Sequence, residues 1–85
     1  MKHATPARLD ELEPLLEALR AVPAFKERGR GVFYAKSRAT LHFHEDASGI
    51  YADFKEGDDW QRFRVSTLIE CERLLATVHS RFGAA

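Results

Sequence analysis

The period of the hydrophobic pattern constrains this chain most. Apolar residues recur every three to four positions near both ends and every second position between Val32 and Val65. Helices and strands repeat their side-chain directions about every 3.6 and every 2 residues, so one short chain must contain both backbones. The central alternation divides into the runs VFYAK, TLHFHE, IYADFK and WQRFRV. Asp46-Ala47-Ser48-Gly49 and Glu56-Gly57-Asp58-Asp59 supply turns between the last three, each with a glycine able to take positive φ. Loops this short join antiparallel neighbours, and the runs predict a four-stranded meander.

Helical signals flank that region. Thr5 and Pro6 form a cap and first-turn proline ahead of Leu9, Leu12, Leu15, Leu16, Leu19 and Val22. Pro14 lacks the donor for an i−4 bond, so this helix either kinks there or becomes regular near Glu13. Val22-Pro23 ends it, and residues 24–30 read as a polar connector. Thr67-Leu68-Ile69-Glu70 is a capping box opening a last helix whose stripe is Leu68, Cys71, Leu74, Leu75, Val78 and Phe82, closed by Gly83. The expected fold class is α+β: a two-layer sandwich, a four-stranded antiparallel meander with N- and C-terminal helices, in the order α-β-β-β-β-α and in one domain over residues 1–85.

Pairing the strands about their turns fixes a register. Phe43 falls opposite Ala52, Leu41 opposite Phe54, His42 opposite Asp53, Asp53 opposite Arg62, Tyr51 opposite Arg64 and Lys55 opposite Trp60. A longer first turn through Ser37-Arg38-Ala39 places Tyr34 opposite His42 and Phe33 opposite Phe43. A one-residue slip sends an apolar set to solvent, and all three turns agree on one inner and one outer face. The outer face then carries two rows, Tyr34–His42–Asp53–Arg62 and Val32–His44–Tyr51–Arg64, with Trp60 and Lys55 at one end.

With 85 residues, 45% of them apolar, the chain supports one core. A domain of this size buries only about 60–65% of its unfolded surface, which makes a homodimer an expectation. Thirteen basic residues against thirteen acidic ones remove the strongest reason to expect nucleic acid as the partner. Cys71 is the only cysteine, so no intrachain disulfide forms; with no apolar leader or membrane span, a cytoplasmic location is the default expectation.

The outer face holds the chemistry. His42 and His44 on one strand face, with Asp53 beside them, offer metal-ligand atoms, but Arg62 next to Asp53 argues against an ion, and the expected state is two surface histidines satisfied by Tyr34, Asp53 and Tyr51. His42 with Asp53 resembles two thirds of a catalytic triad, yet Ser37, Thr40, Ser48 and Cys71 offer no nucleophile within reach. Arg62, Arg64, Tyr34, Tyr51, Trp60, Lys36 and Arg38 interleave bases and aromatics as nucleic-acid platforms do, without a ribonucleoprotein motif and with acids around them. Arg28-Gly29-Arg30-Gly31 could cradle an anion but also simply turns the chain, and Glu56-Gly57-Asp58-Asp59 lacks calcium-loop spacing.

GVFYAKSRATLHFHEDASGIYADFK followed by WQRFRV resembles a small conserved bacterial protein family of unknown function, and is similar to YjbR-like α+β domains, whose strands carry a basic-aromatic segment comparable to FYAKSRATLHFH. The resemblance covers residues 31–65 and implies an α+β sandwich. The chain lacks the extra length and middle helix of that group, and no catalytic residue is transferred.

The expected function is a binding or protein-interaction module, not an enzyme and without a cofactor, using Tyr34, His42, His44, Tyr51, Asp53, Trp60, Arg62 and Arg64, with a protein or small-molecule partner and no membrane. The alternatives are a nucleic-acid binder on the same face and a metal-dependent hydrolase at His42, His44 and Asp53.

Overall fold

The computed structural model describes residues 2–83. Its elements are β1 (Lys2–His3), α1 (Pro6–Glu11), α2 (Glu13–Arg20), β2 (Lys26–Glu27), β3 (Phe33–Ala35), β4 (Arg38–Asp46), β5 (Gly49–Glu56), β6 (Asp59–Arg64) and α3 (Leu68–Phe82). The fold is α+β with an antiparallel sheet, as the change of period requires. The sheet has six strands rather than four, in the order β2-β3-β4-β5-β6, with β1 also paired to β4. The two extra strands are two residues long, too short to leave a periodic signal in the sequence.

Pro14 divides the first helix. Thr5 caps α1, and the chain leaves helical geometry at Leu12 (φ −97°, ψ 5°) before α2 resumes with Pro14 in its first turn. The missing N–H of Pro14 falls where a helix start has no partner to give it. Leu9, Leu12, Leu15, Leu16, Leu19 and Val22 remain on one buried stripe across the break. The capping box of α3 is complete: Thr67 Oγ1 accepts from the Glu70 amide at 3.2 Å, and Glu70 Oε1 accepts from the Thr67 amide at 3.0 Å. Leu74 and Val78 are buried, whereas Leu68, expected on the same stripe, is exposed beside Ile69 in the first turn of α3.

Between β4, β5 and β6 the register is the one the alternation predicts, with Leu41 opposite Phe54, Phe43 opposite Ala52 and Ala52 opposite Phe63. Leu41, Phe43, Ile50, Ala52, Phe54 and Val65 pack with the helix stripes in one core, and Phe63 lies half-buried at its margin. Ser66 closes the open end of the β5–β6 pair: its hydroxyl accepts from the Ile50 amide at 2.9 Å. Gly49 lies against that hydroxyl with φ 141°, so a side chain there would meet both strain and Ser66.

The first hairpin differs from expectation. Lys36 and Ser37 form a two-residue turn, both at positive φ (53° and 65°), so Ala35 faces Arg38 and Tyr34 faces Ala39. A β-bulge then shifts the ladder, and Phe33 meets Leu41 rather than Phe43. Thr40 fills the irregularity with its hydroxyl, which accepts from the Ala35 amide at 3.2 Å and donates to the Arg38 carbonyl at 2.9 Å. Tyr34 is therefore not in the row with His42.

The 24–30 connector is held by ions. Arg20 contacts Glu13 at 2.6 Å, Glu17 at 2.7 Å and Glu27 at 2.6 Å, and Arg30 contacts Asp10 at 2.8 Å and Glu13 at 2.7 Å. The two guanidinium groups hold the Glu13 carboxyl down to about 2. Arg30 is thus engaged with acids, and Arg28 lies over the Tyr34 ring at 5.2 Å.

Candidate functional site

Because Leu41 and Phe43 point into the core, the alternation of β4 turns His42 and His44 to the other face. Asp53 is opposite His42 on β5, and Arg62 is opposite Asp53 on β6. Arg62 closes a two-pronged contact on the carboxylate, Nε to Oδ1 at 2.7 Å and Nη2 to Oδ2 at 2.9 Å. The diagonal neighbour decides the rest. Asp53 Oδ2 lies 3.3 Å from His44 Nε2, and that same nitrogen lies 2.7 Å from His42 Nδ1.

This geometry assigns tautomers. A neutral imidazole carries one proton, and the Asp53 carboxylate facing His44 Nε2 can only accept, so the proton belongs on that nitrogen and His42 Nδ1, which also faces it, is bare. His44 Nδ1 is buried and has no hydrogen-bond partner among the described residues. Asp53 thus bonds the diagonal His44 rather than His42, the residue straight across from it. His42 is pushed below the ordinary histidine value, first by burial and then by His44, with Asp53 opposing. Asp53 is held low, chiefly by the Arg62 hydrogen bonds against the cost of burial.

Aromatic rings close over the cluster. The Trp60 ring lies 4.8 Å from that of His42, and the Lys55 ammonium sits 5.8 Å over the indole. From the other side comes His3, which the sequence reading missed: β1 pairs His3 with His44, and their rings stack at 5.0 Å. The only hint in the residues is the alternation Lys2-His3-Ala4 ahead of the Thr5 cap, with Ala4 packed on the core and its amide donating to the Phe43 carbonyl at 3.1 Å.

His42, His44, Asp53, Trp60 and Arg62 thus form one group. Tyr51 and Arg64 share the face but turn aside, Tyr51 to the Ser48 hydroxyl at 2.6 Å and Arg64 to Glu70 at 3.0 Å. Tyr34 stands apart beneath Arg28. Ser48 is bound by both Asp46 and Tyr51, and Cys71 lies on the helix side of the sheet with its thiol raised by burial, so neither is a nucleophile for the histidines. Among the described residues no helix is long and apolar enough to cross a membrane. Comparison with family models, with curated proteins and with solved structures finds no match to this chain.

Proposed function

We propose that the protein is a binding module whose working surface is the outer face of the sheet, centred on His42, His44, Asp53 and Trp60. One observation carries this reading: polar groups that an ordinary solvated sheet face would leave in water are drawn into a half-buried cluster beneath an indole that is itself 43% exposed. An exposed tryptophan beside convergent polar groups is the composition of a recognition surface. The nucleic-acid alternative is weakened because Arg62 and Arg64, the cations it needs, are held by Asp53 and Glu70. A triad-type hydrolase is weakened by the absence of a free nucleophile near the described histidines.

The test is a fragment-library screen by amide NMR on chelator-treated protein. Perturbed signals should gather at residues 42–44, 51–53 and 60–64. Hits confined to the apolar groove lined by Leu12, Leu15, Cys71 and Leu75 would place the working surface on the helix side instead. The expected homodimer belongs to this reading, since a second copy docked across Trp60 hides the indole. Sedimentation equilibrium of wild type beside Trp60→Ala tests it, and a monomer at every concentration removes the dimer.

A further inference from the structure

We propose that His42, His44 and Asp53 form a site for a divalent transition-metal ion of the zinc class. The inference rests on the outer face being the working surface, and it names what the centre of that face holds.

Three observations support it. First, one potential ligand atom from each of the three residues lies within 4.8 Å of the other two. Second, the atoms turned toward one another are the ones a metal would bind, His42 Nδ1, His44 Nε2 once it gives up its proton, and Asp53 Oδ2, joined by the 2.7 Å and 3.3 Å contacts. A single proton on His44 Nε2 must serve both neighbours, whereas a cation in its place binds all three atoms, the ring then carrying its proton on the buried Nδ1. Third, two imidazoles and one carboxylate form a donor set suited to zinc, cobalt and iron rather than to calcium or magnesium, which take oxygen ligands.

Two of the three separations can be set against a tetrahedral ion, and the third is within 4.8 Å. Around a tetrahedral ion with bonds near 2.0–2.2 Å, ligand atoms stand about 3.3 Å apart. The His44–Asp53 pair is already at 3.3 Å, and the 2.7 Å imidazole pair must open by about 0.6 Å. His42 and His44 sit on a strand pinned by Leu41 and Phe43 in the core, which limits that opening to side-chain rotation.

Arg62 sets the character of the site. By binding both Asp53 oxygens it fixes the carboxylate plane, as outer partners of metal-binding carboxylates do. Its charge also opposes the ion, so affinity is reduced rather than abolished. Three protein ligands leave a fourth position for water or for a donor from a bound partner, the pattern of an open rather than a structural site.

The experiment is calorimetric titration of the full chain with Zn²⁺ at neutral pH, repeated with Co²⁺ while its visible absorption is followed. One ion per chain is expected. His42→Ala, His44→Ala and Asp53→Asn should each weaken binding at least tenfold, His3→Ala should keep it, and Arg62→Gln should tighten it several-fold. Histidine ¹⁵N spectra of the wild type need no variant to fold, and Zn²⁺ should move His42 Nδ1 and His44 Nε2 first. No saturable binding, or binding lost in His3→Ala and kept in His44→Ala, overturns the proposal. Because the fragment screen uses metal-free protein, hits on the outer face with a flat zinc titration refute the metal site alone.

Discussion

Arg62 holds Asp53 across the β5–β6 pair through two hydrogen bonds, Nε to Oδ1 at 2.7 Å and Nη2 to Oδ2 at 2.9 Å. The two ends are unequal, since the Asp53 side chain is 12% exposed and that of Arg62 50%. Removing the arginine strands a buried carboxylate, while removing both groups does not. Arg62→Ala should therefore lower the urea midpoint at neutral pH, and adding Asp53→Asn should recover part of the loss. Simple additivity of the two changes in a double-mutant cycle would show that the contact carries no coupling.

Phe43 anchors the histidine strand from beneath, 3% exposed between the two imidazoles. Phe43→Ala is expected to cost about 3–5 kcal/mol, a large part of the stability of a domain this small. Chemical denaturation measures it. A loss under about 1 kcal/mol would mean that the core collapses around the gap or that Phe43 is not held as described.

Ser37 sits at φ 65° in the two-residue turn between β3 and β4. The left-handed region costs an L-residue roughly 1–2 kcal/mol, partly offset by the unfolded-state freedom that glycine adds, so Ser37→Gly should stabilise by about 0.5–1 kcal/mol. In a longer, looser loop the same change would destabilise slightly. A thermal melt separates the two.

Glu45 couples the sheet to α1. Its carboxylate is buried, accepts from the Thr5 amide at 2.7 Å and meets Arg8 Nε at 3.4 Å. The Thr5 amide, above all, holds the carboxyl below its ordinary 4.5. A depressed folded pKa stabilises above the ordinary value and loses that contribution as pH falls through the folded one. Wild type should thus exceed Glu45→Gln in urea midpoint at neutral pH, and the gap should close as pH falls through the depressed folded value. A gap independent of pH would assign the effect to shape rather than to charge.

The register of β4, β5 and β6 was legible because Leu41 and Phe43, Ile50, Ala52 and Phe54, and Phe63 and Val65 each set a parity and each of the two hairpin turns carries a glycine. His42, His44, Asp53, Trp60 and Arg62 were placed on one face for that reason. The first hairpin was not legible: Lys36-Ser37 has none of the Asn, Asp or Gly that a two-residue turn with positive φ favours, and Thr40 supplies a bulge that parity cannot foresee. Tyr34 was misplaced as a result. His3 escaped because a two-residue strand owes its existence to a partner 41 positions away, which no local pattern encodes. The His44–Asp53 contact is diagonal, and the opposing-pair rule looks only straight across.

The strand β6 lies at the end of the sheet order, with no strand on its outer side among the described residues. Its backbone presents a free row of donors and acceptors to any extended chain that arrives in register. Asp59, Arg62 and Arg64 space charged side chains along that row, one of the means by which edge strands resist pairing with a second chain. The arginine that clamps Asp53 therefore also discourages polymerisation. Neutralising Arg62 and Arg64 together would leave Trp60, Gln61 and Phe63 as a β-prone template, and light scattering on concentration would register the fibrous association that follows.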